Sequence, residues 1–270
     1  MAHHHTKNTT SGFTLIELMV VISIISLLAS IIFASLSTAR EKARLAVAAQ
    51  FQATLYHTVG FAPGAYWKFD EGSGSTALDS SGNGWTGNLT GATWVSGIGN
   101  TPTGQGSALS FLGTSGSYVD VPYTSTSDFG NITTPGSGGF TMAAWFKAAS
   151  LPPSTNEGYI IFAPGFHEGL YMAKATGNFG AILWFSDNTP YNIDSGISIN
   201  DSKWHYVAMS VNDPLSKWTI YLDGKAVGGG TYVKALKNYS GNTSYRIAGI
   251  NSYDVAGIID DPMIFNAPYQ

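Results

Sequence analysis

The stretch Gly12-Phe13-Thr14-Leu15-Ile16-Glu17 decides how this chain is organised. A polar leader ends at Gly12, and an almost uncharged run extends from Phe13 to Leu36. About 20 apolar residues suffice for one transmembrane helix, so this run is read as membrane-spanning. Glu17 is its only carboxylate. An acid near the start of such a run is costly in lipid and marks a functional position.

Outward from that stretch, no Pro or Gly occurs between Phe13 and Val59, so helix is predicted across the whole interval. Beyond Leu36 the pattern changes. Arg40, Glu41, Lys42 and Arg44 alternate with Ala39, Ala43, Leu45 and Val47, which reads as an amphipathic continuation. Gly60, Pro63 and Gly64 end the helix and set a boundary. The organisation is therefore a leader over residues 1–12, a helix over 13–60 and a domain over 61–270. The leader carries the run His3-His4-His5, and Lys7 is its only formal charge. A secretory signal places its cleavage site after the apolar part. Here the polar part comes first and the apolar part stays.

The composition restricts what the domain can be. Charged residues make up only 11 %, there are 32 glycines, and the formal net charge is −4. Asn, Ser and Thr are dense after Gly60, as in an all-β domain with many turns. The chain has no cysteine, which excludes a disulfide framework and thiolate chemistry. An exported domain of this kind invites a metal as its staple. The acid excess after residue 60 repels phosphate backbones and disfavours nucleic acid as a partner. Strand-like runs recur at Ala65–Asp70, Ala108–Phe111, Tyr118–Val121, Phe140–Phe146, Tyr159–Ala163, Ala181–Phe185, Trp204–Val211, Trp218–Leu222, Tyr245–Ile250 and Ala256–Phe265. Their spacing is that of an antiparallel sandwich, and Asp223-Gly224 is a tight-hairpin signal.

Two family resemblances follow. Gly12-Phe13-Thr14-Leu15-Ile16-Glu17-Leu18 resembles the processing site of type IV prepilins and pseudopilins. The resemblance implies cleavage after Gly12 by a prepilin peptidase and methylation at Phe13. It also implies pairing of Glu17 with the Phe13 amine of a neighbouring subunit. The mid-run Pro of many pilins is absent. Arg40, Lys42 and Arg44 would put the far end of the run in the cytoplasm by the positive-inside rule. The resemblance puts the globular side outside and takes precedence.

The second resemblance is to concanavalin A-like laminin-G jelly rolls, over residues 65–267. It rests on Ala65-Tyr66-Trp67-Lys68-Phe69-Asp70-Glu71-Gly72-Ser73-Gly74, Asp79-Ser80-Ser81-Gly82-Asn83-Gly84, Trp204-His205-Tyr206-Val207-Ala208, Ile220-Tyr221-Leu222-Asp223-Gly224 and Ala256-Gly257-Ile258-Ile259-Asp260-Asp261. The expected fold class is a long N-terminal α-helix plus an all-β, antiparallel concanavalin A-like jelly-roll sandwich.

These resemblances imply a filament subunit that starts in the cytoplasmic membrane and ends in an extracellular pilus. Its partners are other pilin subunits and the peptidase, and its domain adheres to a glycan or protein. A type II secretion pseudopilin and a filament-tethered glycosidase are the rival expectations. The Glu-x-Asp-x-x-Glu pattern of related glycosidases is absent, so no catalytic residue is expected.

Candidate sites stand beside plainer readings. Asp79 and Asn83 present hard oxygens on a glycine-flexed loop, and Asp260 or Asp261 on the closing strand would reach the same loop in a jelly roll. That is a calcium expectation, against an Asx-type turn. Trp184, Asp187, Asn188 and Tyr191 mix aromatic faces with polar groups, as a glycan site does; an exposed loop is the alternative. Trp67, Trp145, Trp204 and Trp218 are expected in the core. His167-Glu168 reads as a solvated turn.

Overall fold

The computed structural model describes residues 12–59, 63–122, 138–152, 156–163, 168–236, 244–249 and 252–269. The leader up to residue 11, with His3–His5, and the candidate His167 lie outside the described residues. Helix α1 spans Leu15–Thr58, 44 residues. The chain divides into two compact units, one ending at Arg44 and one beginning at Leu45.

In the first unit, every large apolar side chain from Leu15 to Leu36 is at least 40 % exposed. The helix is long and apolar enough to cross a membrane. Most of its hydroxyls bond back to the helix. Ser23 donates to the Met19 carbonyl, Ser30 to Leu27 and Ser35 to Ile32. Lipid offers no partners, so such back-bonding removes the cost of a stray hydroxyl.

The second unit is a sandwich closed by the last turns of α1. Its strands are β1 (Ala65–Tyr66), β2 (Thr76–Ala77), β3 (Gly87–Thr90), β4 (Thr93–Ser96), β5 (Ser107–Leu112), β6 (Tyr118–Pro122), β7 (Phe140–Ala148) and β8 (Gly158–Ala163). There follow β9 (Glu168–Met172), β10 (Asn178–Trp184), β11 (Pro190–Ser198), β12 (Trp204–Asn212), β13 (Lys217–Leu222), β14 (Lys225–Thr231), β15 (Ser244–Ile247) and β16 (Ala256–Phe265). One sheet has the order β14-β13-β12-β7-β16-β5-β4, with β1 also paired to β16. The other has the order β11-β10-β9-β8-β15-β6-β3-β2. Neighbours pair antiparallel, and chain-distant strands lie side by side, as a jelly roll requires.

The main core lies between the sheets and contains Met142, Ala144 and Phe146 of β7 with Val207, Met209 and Val211 of β12. The alternate residues Ala143, Trp145, Tyr206 and Ala208 face the other way. There they meet Ala48, Phe51, Leu55 and Val59 of α1. The first sheet is thus buried on both faces, so β7 and β12 read as near-continuous apolar runs. The spacing Ala48, Phe51, Leu55 is one face of a helix. The sandwich therefore includes residues back to Leu45. The expected boundary at Gly60 marks only where helix ends.

Asp223 and Gly224 both adopt positive φ, +50° and +80°, between Leu222 and its partner Lys225. This is the two-residue turn that matches strand twist. A Cβ on Gly224 would lie 3.1 Å from Phe51 Cβ, so the turn is also a seat for the helix. Trp67, Trp145, Trp204 and Trp218 are all buried, at 5 % exposure or less.

Candidate functional sites

At the start of α1, Thr14 and Glu17 form a reciprocal cap. Glu17 Oε2 accepts from the Thr14 amide and hydroxyl, each at 2.8 Å, and the Glu17 amide donates to Thr14 Oγ1 at 3.3 Å. This capping box fixes the first turn next to the expected cleavage point. Gly12 and Phe13 are exposed. The expected role of Glu17 between subunits needs a second copy. Within one chain its carboxylate is held by its own residue Thr14.

Asp79 is the hub of its loop. Oδ1 accepts from the amides of Tyr66 at 3.1 Å and Ser81 at 2.9 Å. Oδ2 accepts from Ser81 Oγ at 2.7 Å and the Trp85 amide at 3.1 Å. Burial alone would raise the Asp79 pKa, but these donors bring it below the usual carboxylate value. Asn83 donates to the Gly64 carbonyl at 2.9 Å. Both residues thus tie the loop to the first strand by Asx-type bonding.

Asp260 lies elsewhere. The pairing of β16 with β7 shifts register between Asp260 and Met263, and Asp261 takes φ +49° there. Such a bulge re-aims side chains. Asp261 accepts from Tyr66 Oη at 2.6 Å and from Gln52 Nε2 at 3.0 Å, and Gln52 Oε1 accepts from Trp145 Nε1 at 2.8 Å. The helix is therefore tied to the sandwich by a half-buried polar chain as well as by apolar contact. Asp70, Asp260 and Asp261 share a cavity of about 290 Å³ with Pro102, Thr103, Gln105 and Gly106. Burial, with Asp261 and Asp70 close by, pushes Asp260 up to about 9. Asp261 is raised by burial too, against the donors Tyr66 and Gln52. Of the three residues expected to share one calcium ion, Asp79 and Asn83 bond within and around their turn, and Asp260 lines a cavity with Asp70 and Asp261. Among the described residues, no group of three or more His, Asp or Glu is arranged to hold a metal ion by itself. Any cation here depends on backbone oxygens and water as well.

The aromatic loop also divides. Leu183 pairs with Tyr191 and Trp184 with Pro190, so Trp184 and Tyr191 point to opposite faces. Tyr191 packs on the main core, edge-on to Trp218 at 5.3 Å. Trp184 packs against Tyr159, Phe162, Tyr171 and Ile182 on the outer face. Asp187 is paired with Lys234 at 2.6 Å and bonded to Thr189; these two hold its pKa down to about 2. Asn188 sits at the turn with φ +64°. The four residues do not form one surface.

Gln52, Asp70 and the phenol of Tyr66 were not legible as site residues. One signal existed: Gln52 is a polar residue four places after Ala48, beside the stripe that the helix buries.

A methylation-type helix start joined to a lectin-like sandwich is the class these features define. Residues 7–33 match the prokaryotic N-terminal methylation motif. Residues 112–269 match the concanavalin A-like lectin/glucanases superfamily, and the chain belongs to that superfamily. No curated protein matches the chain by sequence. Among solved structures it is similar to the binding domain of Paraclostridial Mosquitocidal Protein 1, with TM-score 0.61, 13 % identity, and coverage of 79 % of this chain and 51 % of that one. It is similar to the botulinum neurotoxin type G receptor binding domain at TM-score 0.56 and 15 % identity, covering 77 % and 49 %. It is also similar to domain 4 of AbnA, a GH43 extracellular arabinanase from Geobacillus stearothermophilus, in complex with arabinotriose. There the TM-score is 0.57 at 20 % identity, covering 77 % and 94 %. The chain spans about half the length of the two toxin binding domains. At these identities the likeness concerns fold.

Proposed function

We propose that this chain is a filament subunit of the type IV pilin class that displays a glycan-binding sandwich outside the cell. One observation carries the reading: a single helix begins at a capped methylation motif and ends as a structural layer of a lectin-like domain. Cleavage after Gly12 would release the membrane-embedded precursor for assembly with other subunits. The domain binds its ligand without cleaving it. The arabinotriose complex of the AbnA domain supports a saccharide as the ligand class.

The test is expression in a host with a prepilin peptidase. Mass spectrometry should find the mature chain starting at a methylated Phe13, and immunogold labelling should find it along filaments. Gly12→Val should block both. A glycan array that includes arabinotriose should show retention by the clustered domain. Unprocessed chain confined to the membrane would overturn the filament reading, and a shortened glycan would overturn the binding reading.

The proposal includes calcium as a structural ligand. Its support is the cavity lined by Asp260, Asp261 and Asp70, where a cation would relieve the crowding of acids.

A further inference from the structure

A second cavity, of about 370 Å³, opens between the last turns of α1 and the first strand. That size lies within the roughly 300–1,000 Å³ range of small-molecule sites. Tyr56 and Tyr66 form two of its walls, their rings 6.2 Å apart and inclined at 61°. The ring of Tyr66 is fixed because its phenol is bonded to Asp261. Ala53 and Met263 give an apolar lining.

Four residues that carry polar groups line the same space: Lys68 with its Nζ, His57 with its imidazole, and Tyr56 and Ser80 with their hydroxyls. Lys68 lies over the Tyr66 ring at 5.7 Å. Among the described residues none of these four groups has a hydrogen-bond partner, so all are open to a ligand that displaces water.

Fixed aromatic walls select a ligand with an apolar face, and unspent donors select one rich in hydroxyls. A pyranose ring has both. Its charge is also constrained. The adjoining acidic cavity shares Gln52 and Lys68 with this one, so Asp260, Asp261 and Asp70 lie close and disfavour an anionic sugar.

We propose that this groove binds one neutral pyranose unit of an extracellular glycan, stacked on Tyr66 and bonded by Lys68, His57, Tyr56 and Ser80. The assignment rests on the reading that the domain binds glycans, and it says where. It also makes the helix part of the binding site, since Ala53, Tyr56 and His57 belong to α1. A sugar in the groove therefore favours the docked helix, and the docked helix favours the sugar.

The experiment uses the full chain in detergent, with saturation-transfer NMR as the readout. The probes are the methyl glycosides of glucose, galactose and mannose, arabinotriose, and a methyl glucuronoside. At least one of the three neutral methyl pyranosides should bind and the glucuronoside should not; binding of arabinotriose alone would overturn the pyranose assignment. Ala53→Trp, an exposed helix position that fills the groove, should abolish the signal. Lys68→Ala should weaken binding about fivefold, the factor expected from one lost hydrogen bond. Lys174→Ala, an exposed turn position between β9 and β10 that does not line the groove, should bind as the parent does. A neutral probe that binds the Ala53→Trp chain as well as the parent overturns the groove and leaves glycan binding standing. Silence of the parent toward every probe and on the array overturns both.

Discussion

Phe51→Ala tests whether the helix is a layer of the sandwich. Phe51 is 7 % exposed and meets three rings: Tyr206 at 6.1 Å, Tyr221 at 5.2 Å and Tyr269 at 5.3 Å. Buried Phe→Ala changes cost about 3–5 kcal/mol, which includes the cavity left behind. This site lies at the outer layer and can partly collapse, so the lower end applies, about 3 kcal/mol. In a domain of this size about 1 kcal/mol shifts the melting temperature by about 2–4 °C, so the fall should be about 6–12 °C. The assay is thermal unfolding of the full chain in detergent, followed by near-ultraviolet circular dichroism. Gln50→Ala, on the exposed side of the same helix, should leave the transition within about 1 °C. If Phe51→Ala changed it no more than Gln50→Ala, the helix would not be seated on β7 and β12. Removing residues up to 60 should then be harmless as well. The seated helix predicts that this truncation uncovers Trp145, Tyr206, Met263 and Phe265 and yields aggregate.

Three further predictions follow from the sites. Asp79→Ala should cost about 2 kcal/mol near neutral pH, because the amides of Tyr66, Ser81 and Trp85 lose a charged acceptor. The Asp79 pKa is depressed by folding, so its stabilisation is present above the ordinary aspartate value and is lost as the pH falls through that value and below. Melting curves of parent and variant should therefore converge in acid; a constant gap would refute the linkage. Calcium should raise the melting temperature relative to chelator. At a hundredfold excess over the dissociation constant, the gain is about 2.7 kcal/mol. Asp260→Asn should remove the gain and Asp79→Asn should not; the reverse pattern would return the cation to the Asp79 loop. Glu17→Gln preserves the reciprocal cap with Thr14 but removes the charge, whereas Glu17→Ala removes both. Equal loss of filaments from the two variants assigns the role to charge, and normal assembly of the Gln variant assigns it to the cap.

How much of this was legible varied with the range of the interaction. The helix was read as Phe13 to about Val59 and forms as Leu15–Thr58, because the absence of Pro and Gly is a local signal. Strands with apolar runs, such as Phe140–Phe146 and Trp204–Val211, were read nearly to their ends. Strand β14 was not, because Gly228, Gly229 and Gly230 resemble a loop. Those glycines admit neighbouring groups: a Cβ on Gly230 would lie 2.5 Å from Tyr191 Oη. Strand β11 opens with Pro190 and carries many polar residues along a largely exposed strand, so it too read as loop. The opposed facing of Trp184 and Tyr191 depends on hairpin register, which the spacing of aromatics does not encode. Asp79 and Asp260 were grouped on the jelly-roll topology. In the structure Asp79 spends both oxygens on its own loop, and the register shift beside Asp260 sets which groups that strand presents.

That bulge links the two halves of the molecule's chemistry. A regular β16 would alternate its faces through Asp260 and Asp261, placing one carboxylate in the apolar core. The extra residue lets Asp261 turn toward Tyr66 and Gln52 while Ile259 and Ile264 stay in the core. The positive φ of Asp261 is a strain of about 1–3 kcal/mol, held by the surrounding contacts. Gln52 is one of those contacts, and it comes from the helix. Docking of α1 therefore helps to set the geometry of the acidic wall, and Gln52→Ala should affect more than helix packing. It leaves a buried carboxylate with one donor fewer and Trp145 Nε1 without its acceptor, a loss of about 2–3 kcal/mol. The distinguishing readout is amide exchange. Strand β16 around Asp261 should lose protection along with helix residues 48–58. Loss confined to the helix would show that the bulge stands without it.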